Sequence, residues 1–396
     1  MQNLREQSLA LHHQAKGKLS IHVKVPLENA RDLSLAYSPG VAEPCKAICE
    51  HPESIYHYTM KGNFVAVVSD GSAVLGLGNI GAEASLPVME GKAALFKAFA
   101  GIDAVPLCVN TSDPEQIVQI VKALEPTFGG INLEDIAAPN CFIIEEKLKK
   151  EMNIPVFHDD QHGTAIVTAA GLLNALKVVD KRLEDCRIVV NGAGAAGIAV
   201  TKLLHYMGAG DIVMCDSKGA IFKGRPHGMN AMKEAVAEIT NKSGMQGTLH
   251  EVMKDADVFI GVSVAHAVTP EMVRSMKEGA IVFAMANPTP EIMPEAAKAA
   301  GAAVVGTGRS DFPNQVNNVL AFPGIFKGAL KVRATEINEQ MKLAAVYAIA
   351  NLIAPDELTS EYVIPHPLDR RVVEAVADAV ARAAMETGVA RVAKAL

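Results

Sequence analysis

Two neighbouring carboxylates, Asp159 and Asp160, stand in the run Phe157-His158-Asp159-Asp160-Gln161-His162-Gly163-Thr164, just after an apolar stretch from Ile154 to Phe157 that reads as a short strand. A second acidic pair, Glu134-Asp135, follows a Gly-Gly turn and Ile131-Asn132-Leu133. Carboxylates crowded at strand ends repel one another unless a cation neutralises them. Oxygen donors without a companion cysteine set suit a hard divalent ion, Mg²⁺ or Mn²⁺. His158 and His162 flank the second pair. Beside such an ion they read as supporting or structural side chains rather than ligands.

A glycine fingerprint follows some thirty residues later. Gly192-Ala193-Gly194-Ala195-Ala196-Gly197 comes after the apolar strand Arg187 to Asn191 and before an apolar helix, Ile198 to Tyr206. In such a motif Gly192 permits the tight turn, Gly194 lets a pyrophosphate approach the backbone, and Gly197 lets helix and strand pack closely. Ala195 and Ala196 belong to the same turn, and the N-terminus of the helix after it then faces the phosphates. Asp216 ends the next strand about twenty residues on, where an acidic residue contacts the ribose. Asp216 favours NAD, whereas Ser217 and Lys218 could hold the 2′-phosphate of NADP, so both cofactors stay open. A second match, Gly76-Leu77-Gly78-Asn79-Ile80-Gly81, lacks the acidic strand end and reads as a close-packed loop near the substrate.

These residues need a scaffold. Strands alternate with helices from residue 64 onward. Phe64 to Ser69 and Ala104 to Val109 read as strands around a helix from Gly91 to Ala100, and Asp113 is a good cap for a helix from Pro114 to Glu125. Thr164 to Val178 reads as an Ala-rich helix leading to further strands at 187–191, 211–215, 257–261, 280–284 and 303–306. That alternation predicts an α/β fold: an N-terminal α/β substrate and metal domain (1–163), a doubly wound, Rossmann-type dinucleotide domain (164–325), and C-terminal helices (326–396) returning to the first domain. In the tail, Lys327 to Leu352 and Pro367 to Leu396 read as helices, with Val372, Val376, Val380 and Ala384 forming a packing face.

Composition narrows the class. With 49% hydrophobic residues, the 396-residue chain can bury large cores. No apolar run reaches membrane-span length and the polar N-terminus lacks a signal-peptide core, so a cytoplasmic protein is expected. The net charge of −7 is spread along the chain, with no basic stripe for nucleic acid. Six cysteines, at 45, 49, 108, 141, 186 and 215, include no CxxC pair and read as reduced thiols.

Taken in order, Tyr37-Ser38-Pro39-Gly40-Val41, Pro87 to Lys92, Glu134-Asp135, His158 to Thr164, the glycine fingerprint, Ala286-Asn287-Pro288-Thr289 and Asn317 to Gly324 resemble the short, prokaryotic-type malic enzymes. The resemblance runs from about residue 20 to 350. It implies oxidative decarboxylation of L-malate to pyruvate and CO₂ with reduction of NAD(P)⁺, decarboxylation of oxaloacetate, and a homodimer or higher homo-oligomer. It further implies Tyr37 and Lys92 as the acid–base pair and Asp159 as the neighbour of Lys92. Glu134, Asp135 and Asp160 become the metal ligands, and Asn287 and Asn318 the substrate contacts.

Two departures stand out. Longer eukaryotic relatives carry a substrate-binding Arg after the Asp-Gly turn, but Asp70-Gly71 is followed here by Ser72 and Ala73. Larger bacterial relatives carry an acetyltransferase-like C-terminal extension, and regulation through one is not expected here. Rival readings remain: a malolactic-type enzyme yielding lactate, an amino-acid dehydrogenase without the metal cluster, and a non-catalytic dinucleotide-binding regulator.

Overall fold

In the computed structural model the structure describes residues 3–74 and 76–392. Two parallel sheets carry the residues singled out above. The first holds β1 (Phe64–Ser69), β2 (Asp103–Cys108), β3 (Gly130–Leu133) and β4 (Val156–His158) in the order β2-β1-β3-β4. β1, β3 and β4 are buried along their whole length, covered on both faces, whereas the edge strand β2 is only partly buried. Val65 and Val67 point into a core with Met89 and Phe96, while Phe64, Ala66 and Val68 point into another with Ile117, Val121 and Leu148.

The second sheet holds β5 (Arg187–Asn191), β6 (Asp211–Asp216), β7 (Gly219–Ala220), β8 (Val258–Gly261), β9 (Ile281–Ala284) and β10 (Val304–Thr307). Their order is β10-β9-β8-β5-β6-β7, parallel except for the β6–β7 hairpin. The chain moves outward one way from β5 through β6 and the other way through β8, so a topological switch point lies at the end of β5.

The helix Asp159–Val178 joins the two sheets. It starts directly at the end of β4, five residues before the start expected from sequence, so Asp159 and Asp160 form its first turn. Further along, Gly171 faces the Phe283 ring of β9. After the second sheet the chain returns: Phe326, on the helix Phe322–Lys331, meets Phe96 and Phe157 edge-on. The helix Arg371–Glu386 then packs Val376 against Gly324 and Val380 against Gly328. The helix expected over 367–396 spans only Arg371–Glu386, followed by a turn in which Gly388 takes positive φ, and residues 393–396 lie outside the described residues.

Two more helices depart from the sequence expectation. The helix expected over 91–100 begins at Ala82, runs to Leu95 and continues as a wider turn through Ala100. Pro87 lies inside it, and a proline that removes a backbone hydrogen bond had disguised the start. The expected helix over 327–352 is two, Phe322–Lys331 and Glu339–Ala350, separated by a turn in which Arg333 takes positive φ. The N-terminal helices Leu4–Ala15, Ala30–Ala36, Ala42–Glu50 and Ile55–Tyr58 contain no buried residue. Among the described residues, no helix is long and apolar enough to cross a membrane.

Candidate active site

Lys92 lies on the buried face of its helix, and its ammonium group meets residues from three other elements. It donates to Asp159 Oδ2 at 2.6 Å, sits 2.9 Å from Glu134 Oε1, and lies 4.3 Å from the centre of the Phe322 ring. Asn318 Nδ2 donates to the same Asp159 oxygen at 2.5 Å. Burial pulls the pKa of Lys92 down, but the charges of Asp159 and Glu134 outweigh it and hold the lysine above its ordinary value. The proton of this buried pair therefore resides on Lys92. Burial raises the pKa of Glu134, and the like charge of Asp160 adds to the rise. Asn132 Nδ2 steadies Glu134 Oε2 at 2.9 Å from within β3.

Glu134, Asp135 and Asp160 each offer a carboxylate oxygen, and these atoms lie within 4.8 Å of one another. Two belong to the end of β3 and one to the first turn of the helix after the neighbouring strand, so adjacent parallel strands bring them together. Asp135 has φ of 53°, an uncommon backbone conformation for a non-glycine residue, and its N–H donates to Asp160 Oδ2 at 2.7 Å. The donor set suits a hard divalent cation. The surroundings fit one too: Asp159 Oδ1 and both ring nitrogens of His158 are buried without a hydrogen-bond partner among the described residues, and His158 Nδ1 lies 3.7 Å from Asp160. His162 turns the other way, to Glu145 at 2.7 Å and Lys342 at 3.1 Å, in a buried ionic network behind the carboxylates.

Other expected residues are placed differently. Tyr37 follows a short N-terminal helix, is 69% exposed, and makes no side-chain hydrogen bond to this cluster. Asn287 stands on the exposed loop after β9. That loop is tied to the one after β8 by buried Glu291, which accepts from Ala286 N, Ser263 N and Ser263 Oγ. Gly76 packs against the Asn287 carbonyl, where a Cβ would come within 2.7 Å, but Gly78 and Gly81 face open space and Leu77 is 69% exposed, so only the first glycine of the 76–81 loop is close-packed. Ser72 binds Asp70 and receives the Ala137 N–H, fixing the loop beside the acidic strand end.

At the switch point Gly192 has φ of 118°, and a Cβ there would lie 2.5 Å from the Val262 carbonyl. A Cβ on Gly197 would strike the Gly192 carbonyl at 1.8 Å. Gly194, by contrast, faces open space directly before the helix Ala195–Tyr206, the cradle a pyrophosphate requires. Ala196 follows in the first turn, Asp216 ends β6, and Ser217 and Lys218 are exposed beyond it.

Sequence reading missed several supporting residues. Phe322 covers Lys92; Gly163 lets the helix pass Asp159, because a Cβ there would lie 1.9 Å from Asp159 Oδ1. Asn132 did carry a signal, as a polar residue between two strand aliphatics. Glu291 carried none, since the loops it joins were not assignable as neighbours.

A doubly wound sheet with a glycine turn at its switch point, beside a buried lysine among carboxylates, defines a dinucleotide-dependent oxidoreductase. Residues 16–149 match the malic enzyme N-terminal domain and residues 161–385 the malic enzyme NAD binding domain. The chain belongs to the malic enzyme family. It is 70% identical over 390 residues to the bifunctional malic/malolactic enzyme of Bacillus subtilis, covering 98% of this chain and 95% of the relative. It is 55% identical over 389 residues to the NAD-dependent malic enzyme of Geobacillus stearothermophilus, covering 98% and 80%. The NADP-dependent malic enzyme of Rhizobium meliloti is 53% identical over 404 residues, which span 98% of this chain and 53% of that longer protein. Among solved structures, the NAD-dependent malic enzyme of Thermotoga maritima superposes with a TM-score of 0.92 at 51% identity, covering 94% of this chain and 98% of that one.

Proposed function

We propose that this chain oxidatively decarboxylates L-malate to pyruvate and CO₂ with reduction of NAD(P)⁺, and decarboxylates oxaloacetate at the same site. The observation that carries the reading is the buried Lys92 beside Asp159 and the Glu134–Asp135–Asp160 carboxylates, in a chain of this family. Glu134, Asp135 and Asp160 would hold Mg²⁺ or Mn²⁺. When bound, the metal stabilises the negative charge that develops on the substrate and the nicotinamide takes the hydride. The remaining work belongs to side chains. Once the neighbouring carboxylates are neutralised, Lys92 releases to solvent the proton that their charge holds on it, and the neutral amine accepts the C2 hydroxyl proton. Asp159, fixed by Lys92 and Asn318, keeps the ammonium aimed at the substrate. Asn318 and Asn287 contact the malate carboxylates in place of the arginine absent at 72–73. Loss of CO₂ leaves an enolate whose oxygen takes the proton from Lys92; Tyr37 then protonates C3 while the enol hydroxyl returns its proton to Lys92, and Tyr37 is reprotonated from solvent.

Tyr37 delivers that proton within a homo-oligomer, at least a dimer. A second copy of this chain covers the N-terminal helices and the segment between the first two, whose apolar side chains otherwise face water: Leu9 is 62% exposed, Ile21 97% and Leu35 66%. The domains of this reading are those expected from sequence, 1–163, 164–325 and 326–396. The cytoplasm is the proposed compartment, because all six cysteines are free and Cys45 and Cys49 are exposed.

A specific observation keeps a second product in view: the Bacillus subtilis relative is named for both malic and malolactic activity. Protein supplied with L-malate, Mn²⁺ and either NAD⁺ or NADP⁺ decides between them. Reduced cofactor matched mole for mole by pyruvate supports the proposal. Lactate without net reduced cofactor moves the chain to the malolactic reaction. Turnover of malate with neither cofactor would overturn both.

A further inference from the structure

The carboxylate of Asp216 is saturated. Its Oδ1 accepts from Lys218 N and from Arg225 Nη1, both at 2.8 Å; its Oδ2 accepts from Arg225 Nη2 and from Lys233 Nζ, both at 2.6 Å. An ionised carboxylate offers about four acceptor sites, and the protein itself fills them. A strand-end acid that selects NAD does so by accepting the ribose 2′-hydroxyl proton, and this one has no such capacity left.

The same contacts concentrate positive charge. Asp216 is one carboxylate against Arg225, Lys233 and Lys218. Arg225 is the most enclosed, with a side chain 5% exposed, and it also donates to the Gly219, Ala220 and Gly228 carbonyls. Lys233, at 17%, is nearer solvent and donates also to Gly228. The Ser217 hydroxyl and Lys218 ammonium are exposed beside them and donate no hydrogen bond among the described residues. Gly228 takes positive φ and folds the 224–230 loop back against the Lys218 stem. The end of β6 thus presents cations and a hydroxyl, with the Asp216 carboxylate already neutralised.

We infer that this strand end is built for the 2′-phosphate of NADP⁺, with Lys233, Lys218 and Ser217 as the phosphate contacts and Arg225 as the positioning residue that removes Asp216 as a ribose acceptor. A 2′-phosphate brings charge of about −1.5 to −2 to a site with an excess of positive charge. The inference rests on the dinucleotide reading above and adds which dinucleotide is preferred.

The test is calorimetric titration of the full chain with adenosine 2′,5′-bisphosphate, adenosine 5′-monophosphate, NADP⁺ and NAD⁺. The ligands bearing the 2′-phosphate bind at least about tenfold tighter than their partners, the scale of a charge-assisted contact. Added salt weakens them selectively. Lys233→Gln loses most of that ratio yet binds adenosine 5′-monophosphate as wild type does. Arg225→Gln, which frees Asp216, shifts the ratio toward NAD⁺; if it does not fold, Lys233→Gln carries the test. Equal or tighter binding of NAD⁺ by wild type would overturn the inference. So would a Lys233→Gln protein that weakens both ligand classes alike, because Lys233 would then be only a structural tie. Failure of all four ligands to bind would overturn the dinucleotide reading as well, whereas malate turnover favouring NAD⁺ would overturn the preference alone.

Discussion

At the scale of single residues, Lys92 is held from several sides. It is buried, charged, and held by two carboxylates and an aromatic face. Lys92→Ala is expected to lower malate oxidation by at least about 100-fold, since a positioned acid–base group contributes on that scale. Nucleotide binding, measured by calorimetry, stays as in wild type because the glycine turn is on another sheet. The same change leaves Glu134 and Asp159 buried without their counter-ion, so a lower melting temperature accompanies it. A variant with wild-type turnover would remove Lys92 from the mechanism. Most of this cluster was visible in sequence as types and order: two acidic pairs, a lysine and Asn318. What sequence could not supply was proximity. Phe322 is 230 residues from Lys92, and only the return of the C-terminal helices places its ring against the ammonium.

At the scale of elements, the helix Asp159–Val178 does two jobs, presenting carboxylates from its first turn and packing on β9 farther along. Gly163 is where these demands meet. Gly163→Ala is expected to displace Asp159 and lower kcat by more than about tenfold, since a shift of about 1 Å at a reacting group has large effects. Circular dichroism should show the helix retained; unchanged kcat would contradict this role. A second element joint lies at Asp257, which accepts from Arg187 N at 2.9 Å, Lys181 Nζ at 3.0 Å and Lys277 Nζ at 2.8 Å. Burial alone would raise its pKa, but these donors prevail and hold it below the ordinary carboxylate value. The unfolded chain therefore takes up this proton first as pH falls. The stabilisation is complete above about pH 4 and is lost as pH drops through the lower folded value. Asp257→Asn should melt below wild type at pH 7, and the gap should close toward pH 3; a gap independent of pH would contradict the assignment.

Strands were the most legible elements. Each strand expected over 187–306 starts and ends within a residue of its observed bounds, because parallel strands buried on both faces read as short apolar runs between turns. Helix starts were less legible. Pro87 hid the true beginning of the Lys92 helix, and the acidic pair at 159–160 read as a strand end when it also opens a helix.

At the scale of the molecule, the N-terminal helices expose the apolar surface that a second copy would cover. Light scattering is expected to report a dimer or larger at micromolar concentration, and Leu35→Glu to shift it toward monomer. Because Tyr37 lies in the same exposed region, that variant should also lose turnover, with nucleotide binding intact. A wild-type monomer with full activity would contradict both.

All of the proposed chemistry turns on Glu134, Asp135 and Asp160 holding the divalent ion on which turnover depends. The most direct test is an equilibrium titration of metal-stripped protein with Mn²⁺, with malate turnover followed in the same samples, for wild type and Asp135→Asn. Wild type is predicted to bind a single tight Mn²⁺ per chain with turnover rising in step, and the variant to lose both. Turnover by metal-stripped protein, or tight Mn²⁺ binding undiminished in Asp135→Asn, would contradict it.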